Sequence, residues 1–380
     1  MNLAFTTTFN ANNIKKWSGT PFYMARSLNR QNISLSKIGG LNRKLPAFFK
    51  IRQLYFKILR NKRVSPRFNI YAAKAYSNQL ANKISNKKID AILGTQVNPI
   101  AYLNTKTPVF LWTDALYGNL INYYPSFTKH AKQSRKEGNK IVQECISRTT
   151  KLIFSSDWAA LSAIKTYDIA PGKVSVVPFG ANINDAPSYS DLKSYIKNRS
   201  NKAINLLFIG KSWERKGGNI AFEVSKLLQK NNVNVILHII GCKIPAYVRN
   251  SHFVVHHGFL DKSQASDLEK FNNLLAKANF LLVPSRAEAF GIIFSEANAF
   301  GVPCITTKTG GIQTIIKNDI NGVAFAIDEK IEHYCEYIIE KISNPDAYLD
   351  LCLSSYNEYK TRLNWDVATS NVLQIIQNSI

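Results

Sequence analysis

Two glutamates and two lysines stand in strand-to-helix loops or just inside the helix that follows, where their side chains could do chemistry. In Pro284-Ser285-Arg286-Ala287-Glu288-Ala289-Phe290-Gly291-Ile292-Ile293-Phe294-Ser295-Glu296, an apolar run ends at Val283, a loop follows, and a helical pattern opens near Gly291. The first N–H groups of that helix, from about Phe290 to Ile293, would favour an anion. Carboxylates beside an anion site are costly unless they hold something neutral and rich in hydroxyls, and a carboxylate can accept two hydrogen bonds from a vicinal diol. Glu288 and Glu296 therefore read as ligands of a sugar or ribose; one exposed and one ion-paired glutamate is the plainer alternative. A second loop, Gly210-Lys211-Ser212-Trp213-Glu214-Arg215-Lys216-Gly217, also joins a strand to a helix. Gly210-Lys211-Ser212 has the tail of a phosphate-binding P-loop, but Asn205 stands where that motif needs its first glycine, which excludes it. What remains is Lys211 and Lys216, five apart, placed to hold a diphosphate as it leaves, where preorganised cations act most strongly. A third loop, Thr307-Lys308-Thr309-Gly310-Gly311, offers further backbone donors.

The elements that must carry these loops alternate strand and helix. Strands are expected at Asn2–Thr7, Asp90–Leu93, Val109–Thr113, Lys151–Ser155 and Val174–Pro178, with helices over 69–86 and 128–149. Thr20 is expected as an N-cap, with Pro21 at the first helical position. A second set has strands at 204–209, 233–240, 253–257, 279–283, 303–307 and 322–326. Its helices fall at 218–230, 263–278, 291–300 and 312–317, and further helices close the chain, the last over 364–380. Such alternation predicts α/β architecture with parallel sheets: two Rossmann-like, doubly wound domains facing across a cleft at the C-terminal ends of their strands. The expected division is 1–182, 183–363 and a final helix 364–380 packing back toward the first domain. The polar stretch 183–203 reads as a linker.

Composition bounds the remaining possibilities. The chain has 380 residues, 45% apolar and 19% charged, which is a folded, multi-domain profile. No run of about 18 apolar residues occurs, and the N-terminus lacks a basic region ahead of an apolar core, so neither a membrane span nor a secretory signal is expected. Five scattered cysteines without C-x-x-C spacing read as buried free thiols. His252, His256 and His257 fall in one strand, with the adjacent pair pointing to opposite faces, so no metal site is expected. There is no G-x-S-x-G elbow and no G-x-G-x-x-G after a strand.

The net charge of +24 is unevenly distributed. Residues 1–150 hold 25 Lys and Arg against 4 Asp and Glu, and the first acidic residue is Asp90. So one-sided a half implies a polyanionic partner. Within it, residues 41–68 interleave Phe48, Ile51, Tyr55, Ile58 and Leu59 at helical spacing with Lys50, Arg52, Lys57, Arg60, Lys62 and Arg63. This segment reads either as a helix with a solvated basic face or as an interfacial helix.

The stretch PSRAEAFGIIFSEANAFGVPCITTKTGGIQTIIKNDINGVAF, beginning at Pro284, resembles the donor-binding signature of retaining GT-B glycosyltransferases of family 4, the bacterial group 1 type. It has two glutamates separated by seven residues, then a GVP turn (Gly301-Val302-Pro303) and the Gly310-Gly311 pair. The Gly210-Lys211 to Lys216-Gly217 loop is similar too, with Lys211 where the family more often has Arg. WSGTP at 17–21, Trp112-Thr113-Asp114, Ser156-Asp157-Trp158 and VPFGAN at 177–182 are similar to one bacterial branch. Gln313 and Thr314 stand where the family frequently has a glutamate.

The resemblance implies retaining transfer of a sugar from a nucleotide-diphosphate donor, usually without a metal or further cofactor. Lys211 and Lys216 would neutralise the diphosphate, Glu288 would hold hydroxyls of the transferred sugar, and Glu296 would bind the ribose diol. Ala289, Phe290, Gly291 and Ile292 would offer backbone donors, and Gly19 would approach the phosphates. Asp114 would touch the transferred sugar. The implied partners are a nucleotide sugar, a saccharide or glycolipid acceptor and an anionic membrane surface, with no nucleic acid. The expectation is a cytoplasmic enzyme of cell-envelope polysaccharide or lipopolysaccharide synthesis, peripheral on the inner face of the membrane. The alternative is a catalytically inactive protein of this fold that binds a polyanion or membrane; a third option is a soluble transferase making a small glycoside.

Overall fold

Short apolar segments such as Ala91–Gly94 and Phe280–Leu282 become parallel strands because helices cover both of their faces. The computed structural model describes residues 1–199 and 203–380. Two units emerge, Met1–Pro178 with Trp365–Ile380, and Phe179–Asn364.

The first unit contains β1 (Asn2–Thr6), β2 (Ser34–Ile38), β3 (Ala91–Gly94), β4 (Val109–Thr113), β5 (Lys151–Phe154) and β6 (Val174–Val176), in the order β2-β1-β3-β4-β5-β6. Each pairing is parallel, from Leu3 opposite Leu35 and Ala91 to Phe154 opposite Val176. Its core joins Ala4, Ile92, Leu111, Leu152 and Phe154 of the strands to Leu80, Ile141 and Val142 of the covering helices. The last helix, Trp365–Gln377, packs on helix Thr20–Leu28. There the Ser27 hydroxyl donates to Asp366 (2.6 Å), and the Trp112 and Trp365 rings meet edge-on.

The second unit contains β7 (Ile204–Gly210), β8 (Val235–Gly241), β9 (Val254–Gly258), β10 (Phe280–Leu282), β11 (Cys304–Thr307) and β12 (Gly322–Phe325), in the order β12-β11-β10-β7-β8-β9. Renumbered within the sheet this is 3-2-1-4-5-6, the dinucleotide-fold order, whose direction reverses between β7 and β10. The expected doubly wound α/β architecture is thus present in both units.

Two sequence expectations are corrected, and one strand is added. The stretch 183–203 is not a plain linker: it holds helix Tyr189–Asn198, and its residues 200–202 lie outside the described residues. Ser188 accepts from the Asp191 N–H while the Asp191 carboxylate accepts from the Ser188 N–H (both 3.1 Å), a capping box. Only Leu192 and Ile196 face the core, so the segment reads as polar. Thr20 is the first helical residue rather than the cap, because Trp17, Ser18 and Gly19 all take positive φ (46°, 55° and 88°) and turn the chain directly into the helix. Strand β2 was not expected: Ser34-Leu35-Ser36-Lys37-Ile38 is a sheet edge, half-exposed and half-polar, and carries no strong strand signal.

All five cysteines are free and buried. His238 Nδ1 lies 3.1 Å from His257 Nε2, and His256 Nε2 lies 2.9 Å from the Cys242 carbonyl. Among the described residues no group of three or more His, Cys, Asp or Glu is placed to hold a metal. No described helix is long and apolar enough to cross a membrane.

Arg199 is a buried charge of the second unit. Its guanidinium donates to the carbonyls of Phe300 (2.8 Å) and Gly301 (2.9 Å), to the Tyr348 hydroxyl (3.3 Å) and to Cys352 Sγ (3.1 Å). Arg199→Ala would leave buried carbonyls unsatisfied, so denaturant titration is expected to show a loss of about 3 kcal/mol. A loss under about 1 kcal/mol would mean that water replaces the side chain there.

Candidate active site

The switch point of the second sheet brings together the loops after β7 and β10. They are in close contact: the Arg286 N–H donates to the Arg215 carbonyl (2.8 Å), and a Cβ at Gly217 would lie 1.9 Å from the Pro284 carbonyl oxygen. Gly217 also has φ +75°, so both space and backbone require glycine. Helix Gly218–Lys230 starts immediately after it.

Between these loops the Glu288 carboxylate receives Lys216 Nζ and, at 3.2 Å, Arg215 Nη1. The same guanidinium donates to the Ala287 carbonyl (2.8 Å), which orients it. Burial alone would raise the Glu288 pKa; Lys216 and Arg215 outweigh it and hold the carboxyl below its ordinary range. The Glu288 carbonyl accepts from the Gly311 N–H (3.0 Å), which ties in the third glycine-bearing loop.

Glu296 sits in helix Ile292–Asn298, almost fully buried, with Lys262 Nζ 2.7 Å from its Oε1. Burial pushes its carboxyl upward, and the charge and hydrogen bond of Lys262 offset only part of this. The Asn182 backbone N–H also bonds this carboxylate, and the Asn182 carbonyl accepts from Lys262 Nζ (3.3 Å). Phe179 of the same segment packs on Phe290, ring centroids 5.2 Å apart. The VPFGAN segment, singled out only by resemblance, therefore supports both Glu296 and the loop after β10.

The predicted residues are not all brought together. Lys216, Glu288, Ala289, Phe290, Gly291, Ile292 and Glu296 belong to this region, with Ala289 and Phe290 buried and Gly291 at φ +99° leading into the helix. That helix has seven residues, shorter than the expected 291–300. Lys211 is exposed and lies over the Phe259 ring, 5.4 Å from its centroid; among the described residues it forms no ion pair. Arg215, rather than Lys211, is the second cation on Glu288. Sequence reasoning also missed Lys262, which follows β9 and carries no motif of its own. Arg215 could have been noticed as the neighbour of Lys216.

Gly19 and Asp114 belong to the first unit. Asp114 follows β4 and lines a cavity of about 360 Å³ with Phe9, Trp17, Arg67, Tyr117 and Tyr124. The loops after β1 and β3 meet at its edge, where Gln96 Oε1 accepts from the Thr8 N–H (3.0 Å) and hydroxyl (2.6 Å). This is the switch point of the first sheet, since β1 runs between β2 and β3. Trp17 and Ser18, two non-glycine residues held at positive φ just before Gly19, store strain of about 1–3 kcal/mol each.

Because the pKa of Glu288 is lower folded than unfolded, its ion pairs contribute stability above the ordinary value of 4.5, and that contribution is lost as pH falls through the lowered value. Glu288→Gln is expected to cost about 3 kcal/mol at neutral pH, with a gap that closes in acid. Urea titrations of both proteins across this range check it; a gap that does not vary with pH would rule out the ionic origin.

Residues 193–357 match the family model of Glycosyl transferases group 1. A UDP-Gal:alpha-D-GlcNAc-diphosphoundecaprenol alpha-1,3-galactosyltransferase of Escherichia coli is 24% identical over 190 residues, 48% of each chain. The chain spans about half the length of the curated relatives it matches first. Among solved structures, WaaG, a glycosyltransferase involved in lipopolysaccharide biosynthesis, is similar at TM-score 0.62 and 15% identity, covering 98% of this chain and 99% of that one. Anabaena Alr3699/HepE in complex with UDP and glucose is similar at TM-score 0.65 and 13% identity over 99% of both chains. The match to Glycosyl transferases group 1 thus covers Lys216, Glu288 and Glu296, and the chain as a whole has the fold of the GT-B glycosyltransferases.

Proposed function

We propose that the protein is a retaining GT-B glycosyltransferase of family 4. It would move a sugar from a nucleotide-diphosphate donor to a saccharide or lipid-linked acceptor in cell-envelope polysaccharide or lipopolysaccharide synthesis. The carrying observation is the half-buried ion-pair cluster of Lys216, Arg215 and Glu288 at the switch point of a dinucleotide-type sheet. Two cations share one carboxylate, so the cluster keeps a net positive charge that suits a diphosphate. When the donor binds, its phosphates take over Lys216 and Arg215, and Glu288 turns to hydroxyls of the sugar. Glu296 accepts the ribose diol, and Lys211 adds charge at the rim. The group 1 match and the relatives' printed activities support a transferase; a UDP complex of one structural neighbour supports a nucleotide donor.

In this reading the glycosidic C–O bond to the diphosphate breaks, and the leaving oxygen's charge develops against Lys216 and Arg215. The acceptor hydroxyl attacks from the same face and passes its proton to the departing phosphate oxygen, so the configuration at the sugar carbon is retained. The aromatic cavity beside Asp114 and Arg67 suits a saccharide: flat rings cover apolar sugar faces while the two charged groups take hydroxyls.

Thermal unfolding with a panel of nucleoside diphosphates and nucleotide sugars tests the donor site, since a bound donor must raise the melting temperature. With the best donor, Lys216→Ala is expected to lower kcat at least about 100-fold, and the product's anomeric configuration reads out retention. No shift with any nucleotide and no transfer would leave the inactive, polyanion-binding alternative; an unchanged kcat in the variant would remove Lys216 from the mechanism.

A further inference from the structure

Helix Phe48–Arg60 has two apolar faces, and only one is used by the fold. Phe49 is buried against Val64 and Ala131, with Phe56 and Leu45 packed beside it. Arg52 pairs with Glu137 (2.8 Å), and the Gln53 amide donates to the Val64 carbonyl (3.1 Å), so the helix is firmly docked on this side. The opposite side presents Ile51, Leu54, Tyr55 and Ile58, at the i, i+3, i+4, i+7 spacing of one stripe. They are 72%, 58%, 45% and 66% exposed, and Phe48 and Leu59 extend the stripe at 52% and 67%. Phe48 meets the exposed ring of Tyr71 edge-on, which widens the patch onto the next helix.

Charge completes the picture. Lys50 and Lys57 flank the stripe and are exposed, as are Arg43 and Lys44 before the helix and Arg60, Lys62 and Arg63 at its end. Residues 41–68 contain no acidic residue. An apolar stripe about 20 Å long, bordered by long cationic side chains and free of carboxylates, matches a surface that is oily beneath and anionic above. A protein partner would need a groove of the same depth lined with carboxylates. A second copy of this helix would set lysines and arginines against lysines and arginines.

We propose that this helix lies in the interface of an anionic lipid bilayer, with Ile51, Leu54, Tyr55 and Ile58 among the acyl chains and the flanking lysines and arginines on the headgroups. The surface is separate from the second unit's ion-pair cluster and does not depend on the catalytic reading. Docked on its Phe49 side, the helix would hold the first unit flat on the membrane.

Flotation of the full chain with phosphatidylcholine vesicles, with and without phosphatidylglycerol, tests it. Binding is expected only with phosphatidylglycerol, and should fall at high salt as the surface potential is screened. Ile51→Ser combined with Ile58→Ser should abolish flotation without lowering the melting temperature, since both residues are exposed. Lys50→Glu with Lys57→Glu should weaken it about fivefold or more per position. A fluorophore on Leu54→Cys should shift to the blue on binding, one on Asp346→Cys of the second unit should not, and the five native thiols are buried. Equal binding to neutral vesicles, flotation unaffected by the Ile variants, or concentration-dependent self-association without flotation would each overturn the proposal.

Discussion

A buried carboxylate must keep company with cations, and in the second unit this requirement organises everything around it. Glu288 is largely withdrawn from water between two loops that belong to strands on either side of the sheet's reversal. Its charge persists there only because Lys216 and Arg215 arrive from the opposite loop. That arrival depends on Gly217, where any side chain would push the Pro284 carbonyl away. The ion pairs therefore fix the distance between the loops, and the loops in turn aim the glutamate. A ligand with two phosphates and several hydroxyls could replace each of these contacts with an equivalent one.

Glu296 answers the same problem differently. It lies deeper, has one cation rather than two, and its carboxyl stays pushed up rather than down. The contrast follows from the number and distance of compensating charges, not from sequence spacing. It leaves two carboxyls in one region with opposite shifts, one firmly ionised and one with a weakened hold on its charge.

The first unit places its resources elsewhere. Its sheet reverses beside an aromatic cavity, and the chain enters that region through consecutive left-handed residues at Trp17, Ser18 and Gly19. Strain of this kind is tolerated where surrounding contacts over-determine the backbone. The unit also carries nearly all of the chain's excess positive charge. Much of it surrounds one helix whose outward face is as apolar as its inward one. A helix like this cannot be explained by its own fold's core, which needs only Phe49 and its neighbours.

The sequence by itself determined the alternation of strands and helices, because buried parallel strands are short apolar runs and helices are periodic. It singled out the two loops of the second unit's candidate site, since both end apolar runs and carry glycines before a helical pattern. It could not show helix Tyr189–Asn198, where two core-facing residues are lost among polar ones, or the edge strand Ser34–Ile38, whose order comes from pairing with β1. It also could not decide which cation meets which carboxylate. Lys211 and Lys216 look alike in one loop, yet the turn at Gly217 sends Lys216 and Arg215 inward and leaves Lys211 over Phe259. Lys262 reaches Glu296 from 34 residues away. Such partnerships join residues from separate strands, and only the order in which those strands pair brings them within reach.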